Sequence, residues 1–343
     1  MAYFFLRKFN LLIVTLFILS LFSFSLAYLF PGDPLTNLTG VHSSDTQNFA
    51  ALSEQFNIQG GYFGQYLEYL GALFNGDWGV SFSSGLSLSN EIAGTLPASI
   101  ELSAYALIFS FILGLPLGFA AALRHRKKTD FFLLTFSALG NSIPVFWLAL
   151  IVILLFSLQL GWFPLSGRIS LLFDVPHQTG FILLDILLSD LPNKTEAFYD
   201  ALRHLILPTI SIAVVTCTIT IRITRRSVIE TLNSDFIKAA YARGLTSRQV
   251  LQHHGIRNAM MPILPILALQ FTTLLTNAMI VETIFSWPGI GNWLIHAIYQ
   301  RDYPSIRAGM LAVSALVIMF TISIDLLIQL VDPTRSRLER VKI

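Results

Sequence analysis

The residue types that usually carry chemistry are present in this chain, but they are not spaced to perform a reaction. Its seven histidines show no HExxH or other metal-ligand spacing. His253 and His254 are adjacent, so on a helix they point about 100° apart and would chelate one ion poorly. The single cysteine, Cys217, lies in an apolar run and reads as a small buried hydrophobe; alone it forms neither an internal disulfide nor a CxxC metal pair. No Ser/His/Asp set is recognisable. There is also no Gly-x-x-x-x-Gly-Lys-Ser/Thr loop to cradle a nucleotide phosphate. No catalytic residue, metal or cofactor is therefore expected.

Two polar features remain. The first is a set of residues within or at the ends of apolar runs: Asn141, Gln159, Gln270, Asn277, Glu282 and Asp325. Asn141, Gln159, Gln270 and Asn277 read either as part of a polar path or as interhelical hydrogen-bonding glue. Glu282 reads as a helix-end or mouth residue, and Asp325 as a functional intramembrane carboxylate, an interhelical hydrogen bond or a group low enough to reach cytoplasmic water. Asn141, Gln270, Asn277, Glu282 and Asp325 are the candidates for the path. The second feature is a basic, capped hairpin over 234–258, set between two apolar runs. A polar hairpin projecting from such a chain needs a partner.

The elements that must position these residues follow from composition. Hydrophobic residues make up 54% of the 343 and charged residues only 12%, with mean hydropathy +0.66. Soluble domains average about 25% charged, so much of this surface meets something other than water. A net charge of +2 gives no field for nucleic acid. Apolar runs of about 20 residues cross a bilayer core, and only helices satisfy their own backbone there. Six such runs occur, at 9–30, 99–123, 131–160, 205–223, 262–284 and 308–331. The fourth is the weakest because it carries Thr209, Thr216, Thr218 and Thr220. The class expected is an all-α membrane protein with six transmembrane helices. Ser25-Leu26-Ala27 has the form of a signal cleavage site, but the apolar stretch runs on to Phe30, longer than a usual signal core.

Positive charge orients the chain. With the N-terminus inside, cytoplasmic segments hold Arg7, Lys8, Arg124, Arg126, Lys127, Lys128, seven basic residues between Arg222 and Arg257, and Arg335, Arg337, Arg340 and Lys342. Only Arg168, Lys194, Arg203, Arg301 and Arg307 fall outside. The expected organisation is a first helix in 1–30, an external region 31–98 and a membrane core 99–331. That core has an external loop 161–204 and a cytoplasmic loop 223–261, and a cytoplasmic tail 332–343 follows it. Pro31-Gly32-Asp33-Pro34 should stop the first helix. Phe56, Tyr62, Phe63, Tyr66, Tyr69, Phe74 and Trp78 could give 31–98 a small core. Pro144, Pro208 and Pro265 should kink their spans, and Gly114, Gly118 and Ala122 form a small-residue ridge for close helix packing.

In the hairpin, Ser234 or Asp235 should cap a helix running to Arg243, with Gly244 as its left-handed stop. Thr246-Ser247-Arg248-Gln249 has capping-box form and starts a second helix. Pro262 fits the first turn of the next span. Ile229, Leu232, Phe236 and Ala239 or Ala240 recur at helical spacing as one apolar face. On these residues alone the hairpin could still be an ordinary loop folded on itself.

Asp235-x-x-Lys238-Ala239-Ala240-x-Ala242-x-Gly244-Leu245, followed by His254-x-x-Arg257-Asn258-Ala259 and Pro262, resembles the EAA loop of ABC importer permeases in its dipeptide/oligopeptide form. The family's leading Glu is Lys238 here. Pro31-Gly32-Asp33-Pro34, Gly76-Asp77-Trp78-Gly79-Val80-Ser81, Ser142-Ile143-Pro144-Val145-Phe146-Trp147, Gly161-Trp162-Phe163-Pro164-Leu165-Ser166-Gly167-Arg168 and Glu282-Thr283-Ile284-Phe285-Ser286-Trp287-Pro288-Gly289-Ile290-Gly291 resemble that branch as well. The stretches 137–175 and 179–190 are most similar to the Sap-type peptide permeases. The resemblance implies a type I importer permease fold in a bacterial inner membrane, with both termini cytoplasmic. Its partners would be a second homologous permease subunit, two cytoplasmic ATPases and a periplasmic substrate-binding protein. It also implies that Asp235, Lys238, Ala239, Ala240, Ala242, Gly244, Leu245, Arg257 and Asn258 form the surface that docks the ATPase, and that the solute is a peptide, antimicrobial peptides included, or a similar small molecule. The alternative is a self-sufficient channel or ion-coupled carrier. That reading expects charges in several spans and an internal repeat, whereas only Asp325 is plainly intramembrane and the hairpin would go unexplained. A membrane-embedded enzyme lacks a catalytic cluster.

Overall fold

A computed structural model describes residues 2–41, 46–55 and 61–331, and every regular element among them is helical. Phe56 and the tail 332–343, both part of the expectations above, lie outside the described residues. The chain divides into two compact units, one of Met1–Ser99, His177–Phe181 and Pro288–Ile322, the other of Ile100–Pro176, Ile182–Trp287 and Ser323–Ile343.

The first unit begins with α1 (Ala2–Leu29). Pro31-Gly32-Asp33-Pro34 ends it as expected: Asp33 N-caps α2 (Pro34–Thr39), its Oδ2 accepting the Thr36 amide at 2.8 Å with Pro34 in the first turn. After α3 (Thr46–Gln55) comes α4 (Gly61–Phe74), which folds back on α1. Phe24, Ala27, Leu35, Leu38, Tyr66 and Tyr69 make a small core there. The Tyr66 hydroxyl pairs with Ser20 at 2.7 Å and that of Tyr69 with Ser23 at 3.0 Å, so both phenols satisfy their polar ends where they are buried. Of the expected aromatic core, Tyr62, Phe63 and Phe74 are instead exposed. A second cluster joins Leu88, Ile92, Ile290, Ala308 and Ala312, on the start of α5 (Leu88–Leu123), α13 (Ile290–Gln300) and α14 (Tyr303–Val331).

The second unit is built around α9 (Lys194–Leu232), which packs against α6 (Lys128–Ser142), α7 (Val145–Val152), α8 (Ile182–Leu188) and α12 (Ile256–Ile284). The expected fourth span, 205–223, is only the middle of this helix, which takes in the last residues of the expected loop 161–204. Its most apolar window is 72% buried inside the protein, against 22% for α1. That explains its weak hydropathy: α9 faces neighbouring helices rather than lipid. Thr218 and Thr220 satisfy their hydroxyls on carbonyls one turn back, at 2.7 and 2.8 Å. The expected small-residue ridge is real. A Cβ on Gly114 would fall 2.8 Å from the Thr220 Cβ, and one on Gly118 only 2.6 Å from the Thr224 Cβ.

Among the described residues four helices are long and apolar enough to cross a membrane, within Leu6–Leu29, Leu88–Leu123, Lys194–Leu232 and Tyr303–Leu326. The expected span 131–160, with its expected kink at Pro144, is broken there: α6 and the helix over Val145–Gln159 meet at 97°, and counting that pair as one span gives five. Ile143 is extended at φ −85°, ψ 121°, as a residue before proline prefers, and Pro144 has no amide with which to continue α6. Pro208 and Pro265, by contrast, sit within unbroken helices. The remaining expected span, 262–284, falls in the 29-residue α12.

Candidate functional site

The hairpin folds locally as its sequence dictates, with three corrections. α9 runs on to Leu232, and the chain reverses through Asn233 and Ser234 into α10 (Asp235–Ala242). Ser234 is the N-cap by backbone conformation, but its hydroxyl donates back to the Thr231 carbonyl at 2.5 Å instead of capping α10. Gly244 has φ +84° and donates its amide to Tyr241 at 2.9 Å, the left-handed stop expected of it. Thr246 opens α11 (Ser247–Val250) with a complete capping box: Gln249 returns its side-chain oxygen to the Thr246 amide at 2.9 Å. A π-helical turn, Leu251–Gly255, carries α11 straight into α12, so Pro262 is interior rather than in a first turn.

The expected single apolar face divides in two. Ile237, Ala240 and Val250, with Leu245, form the hairpin's own core. Ile229 and Leu232 pack instead on Ala122, Val228 and Ala259 at its base. Ala240 and Leu245 thus hold the hairpin together from within. Asp235, Lys238, Ala239, Ala242 and Gly244 are exposed, as are Phe236 and Tyr241 at 49% and 45%. Lys238 Nζ reaches Asp235 Oδ1 at 2.8 Å, an exposed i,i+3 pair. Arg257 is exposed, and Asn258 donates to the His254 carbonyl at 2.7 Å. One face of α10 is therefore packed; the opposite face, with Asp235, Lys238, Ala239 and Ala242, lies open, and Phe236 and Tyr241 flank the packed face, one on either side.

The base is anchored twice. The Ser227 hydroxyl donates to the Ala259 carbonyl at 2.7 Å, tying α9 to α12 beside the hairpin. Two residues upstream, Arg225 grips Asp130 through Nε–Oδ1 at 2.6 Å and Nη2–Oδ2 at 2.9 Å, a bidentate fork. Asp130 is 3% exposed, accepts the Arg126 amide at 2.9 Å and lies 3.1 Å from His125 Nδ1. Sequence reading counted Arg225 only as a topogenic charge and passed over Asp130. The available signal was one acid in the first turn of a helix directly after a basic loop.

A second buried pair also escaped notice. Glu101, 1% exposed, is closed upon by the Arg168 guanidinium, which lies over the Trp287 ring at 5.6 Å. Glu101 also accepts the Ile182 and Leu183 amides, and Gly167 donates its amide to the Phe285 carbonyl at 2.8 Å. Arg168, Trp287 and the Gly167–Phe285 contact are thus gathered around one carboxylate at the head of an apolar run.

The path candidates do not form one stripe. Asn141 is exposed beside the 97° break, and Asp325 is half-buried. Gln270 and Asn277, both half-buried, are seven residues apart on α12 and share a face; Glu282, fully buried, lies about 120–140° round the helix from them.

Family models match nearly all of the chain. Residues 1–103 match the N-terminal model, and residues 114–337 the main model, of the binding-protein-dependent transport system inner membrane component. The chain belongs to that family. The chain is 42% identical over 327 residues to the di/tripeptide transport system permease protein DppB of Pseudomonas aeruginosa, covering 95% of this chain and 96% of the relative. It is 40% identical over 337 residues to the peptide transport system permease protein SapB of Salmonella typhimurium, covering 98% of each. The Escherichia coli relative with the same identity and coverage is named the putrescine export system permease protein SapB. Both branches expected from the resemblance are represented among these relatives.

Proposed function

We propose that this chain is a membrane-spanning permease subunit of an ATP-driven transporter that carries peptides or similar small solutes across a bacterial inner membrane. Its hairpin receives the force of a separate ATPase. The observation that carries this reading is the two-faced hairpin within a chain of full-length family similarity. Its inner face is packed on Ile237, Ala240 and Val250, while Lys238, Ala239 and Ala242 are presented outward and Phe236 and Tyr241 flank the packed face. Phe236 and Tyr241 supply the aromatic anchors that interface cores favour. Asp235, Gly244, Arg257 and Asn258 flank them, and Ala240 and Leu245 keep the two short helices together behind.

In the full reading α12 supplies the remaining span, giving six with both termini cytoplasmic, and 31–98 is external. A second homologous permease subunit, two ATPase subunits and a substrate-binding protein complete the transporter. Gln270, Asn277 and Asn141 then contribute to the solute path, with Glu282 and Asp325 beside it. The relative named for putrescine export leaves direction and solute to be decided by transport assay.

The test separates the hairpin's two faces. Phe236→Ser should cut co-purification of the ATPase and solute uptake while leaving the purified subunit's melting unchanged. Normal co-purification and uptake in that variant would overturn the docking role. The isolated chain should show no saturable ATP binding.

A further inference from the structure

The helix α4 belongs to the stretch 31–98 that positive charge places outside the membrane, yet its contacts run far along α1. The Tyr62 ring meets that of Tyr28 at 5.2 Å, one residue before the end of α1. The Tyr66 and Tyr69 hydroxyls pair with Ser20 and Ser23, nine and six residues before Leu29. At about 1.5 Å per residue, those partners stand roughly 14 and 9 Å back from the end of the helix. The Phe17 ring, farther back still, stands edge-on to Tyr66 at 6.0 Å. Half of a bilayer core is about 15 Å thick. Where α1 spans a membrane, α4 is therefore held across its outer half.

The side of α4 turned away from α1 suits that depth. Phe63, Leu67, Leu70 and Phe74 recur at i, i+4, i+7 and i+11, a single stripe along the helix. Phe63 and Phe74 are 75% and 88% exposed, although the same helix buries Tyr66 and Tyr69. Glu68, the one charged residue of α4, lies with Gln65 on the side opposite the stripe. A groove of about 510 Å³ runs between the two helices. One wall includes Leu21, part of the exposed apolar surface of α1, and the other includes Phe63, part of the stripe. Within it the Ser25 hydroxyl is returned to the Leu21 carbonyl at 2.8 Å, and the Tyr28 hydroxyl is given to Gln65. The stripe and the exposed surface of α1 are thus continuous through the groove. We propose that α4 is embedded in the outer leaflet of the membrane beside α1, with its Phe63–Phe74 stripe against acyl chains and an acyl chain seated in the groove. Tyr28 and Tyr62 then stand at headgroup level, where amphipathic rings settle. The inference rests on the permease reading, through α1 as a span whose end at Leu29 faces outward. A soluble partner does not reach this depth, and the continuity with α1 favours lipid over a second membrane subunit.

Nitroxide labels on single cysteines test this in the full-length chain carrying Cys217→Ala, reconstituted into phosphatidylethanolamine/phosphatidylglycerol nanodiscs. Phe63→Cys and Leu67→Cys report the stripe, Glu68→Cys the opposite side, and Phe22→Cys the surface of α1 at matching depth. All four positions are exposed, so the labels disturb no packing. Collision with dissolved oxygen reads lipid, and collision with a water-soluble nickel chelate reads water. The ratio of oxygen to nickel collisions at the two stripe labels should match Phe22→Cys and exceed Glu68→Cys several-fold. Stripe labels that favour nickel while Phe22→Cys favours oxygen would overturn the proposal and leave the permease reading standing. Nickel preference at Phe22→Cys as well would overturn both, since α1 would not span. Stripe labels shielded from both probes would overturn the proposal in favour of a covering protein subunit.

Discussion

The carboxylate of Glu101 meets the guanidinium of Arg168 across 67 residues of sequence, with both side chains almost wholly withdrawn from solvent. Removing one partner strands the other charge, at a cost of about 3–5 kcal/mol for a buried pair. Glu101→Ala and Arg168→Ala should each lower the melting temperature of the purified chain substantially. The double variant should be much less destabilised than the sum of the two, because neither charge is then left alone. Additive losses would show that the pair does not act as a unit.

Asp130→Asn should loosen the hairpin without reaching its surface. It removes the ionic character of the fork from Arg225 at the hairpin's base while preserving volume. The expected outcome is faster hydrogen exchange over 225–260, with little change over 20–40. Uniform protection across both segments would remove Asp130 from the hairpin's support.

Gly244 separates backbone strain from partner contact. A Cβ built there meets nothing within 4 Å, so within this chain the penalty of a side chain comes from φ +84° alone, roughly 1–2 kcal/mol for most residues and less for asparagine. Gly244→Ala should reduce ATPase co-purification and uptake, and Gly244→Asn less so. Gly244→Asp exceeding Gly244→Ala would place the ATPase within reach of this position. Full activity in Gly244→Asp would sink the coupling role.

Asp302 should leave a signature in acid. Burial pushes its carboxyl up, but hydrogen bonds from Ser81, Ser305 and the Phe82 amide outweigh this and hold it below its ordinary value of 3.8. A carboxyl depressed on folding stabilises fully above that ordinary value, and the contribution is lost as pH falls below it through the folded-state value. Melting temperature should therefore drop less steeply below about pH 4 in Asp302→Asn than in the parent. Parallel profiles would deny Asp302 its share of the acid sensitivity.

Orientation is testable at two serines. A cysteine at Ser84 should react with an impermeant thiol reagent in intact cells, and one at Ser234 should not. The opposite pattern would reverse the positive-charge argument.

Much of the hairpin was legible because its signals are local. Gly244, the Thr246–Gln249 box and the short helices are all set by residues within a turn of one another. The core of 31–98 was legible only in part, since the run of Tyr and Phe does not say which rings are buried against α1: Tyr66 and Tyr69 are, while Phe63 stays exposed. The fourth span read weakly for the opposite reason. Hydropathy measures preference for lipid, and α9 is surrounded by protein. Asp130–Arg225 and Glu101–Arg168 were invisible because each joins residues tens of positions apart, and a lone acid in sequence carries no record of its partner. The apolar stripe through Ile229 and Phe236 misled because periodicity was projected across Asn233–Ser234, where the helix stops.

The right-angled break at Ile143–Pro144 has a consequence for where water stands. The last carbonyls of α6 have no next turn to donate to them, and Pro144 brings no N–H. Hydrocarbon offers no substitute donor. Wherever this elbow sits within the bilayer's thickness, its concave side must be wetted or lined by polar protein groups. Acyl chains would thereby be kept from these carbonyls, and Asn141, in the last turn of α6, is exposed beside them.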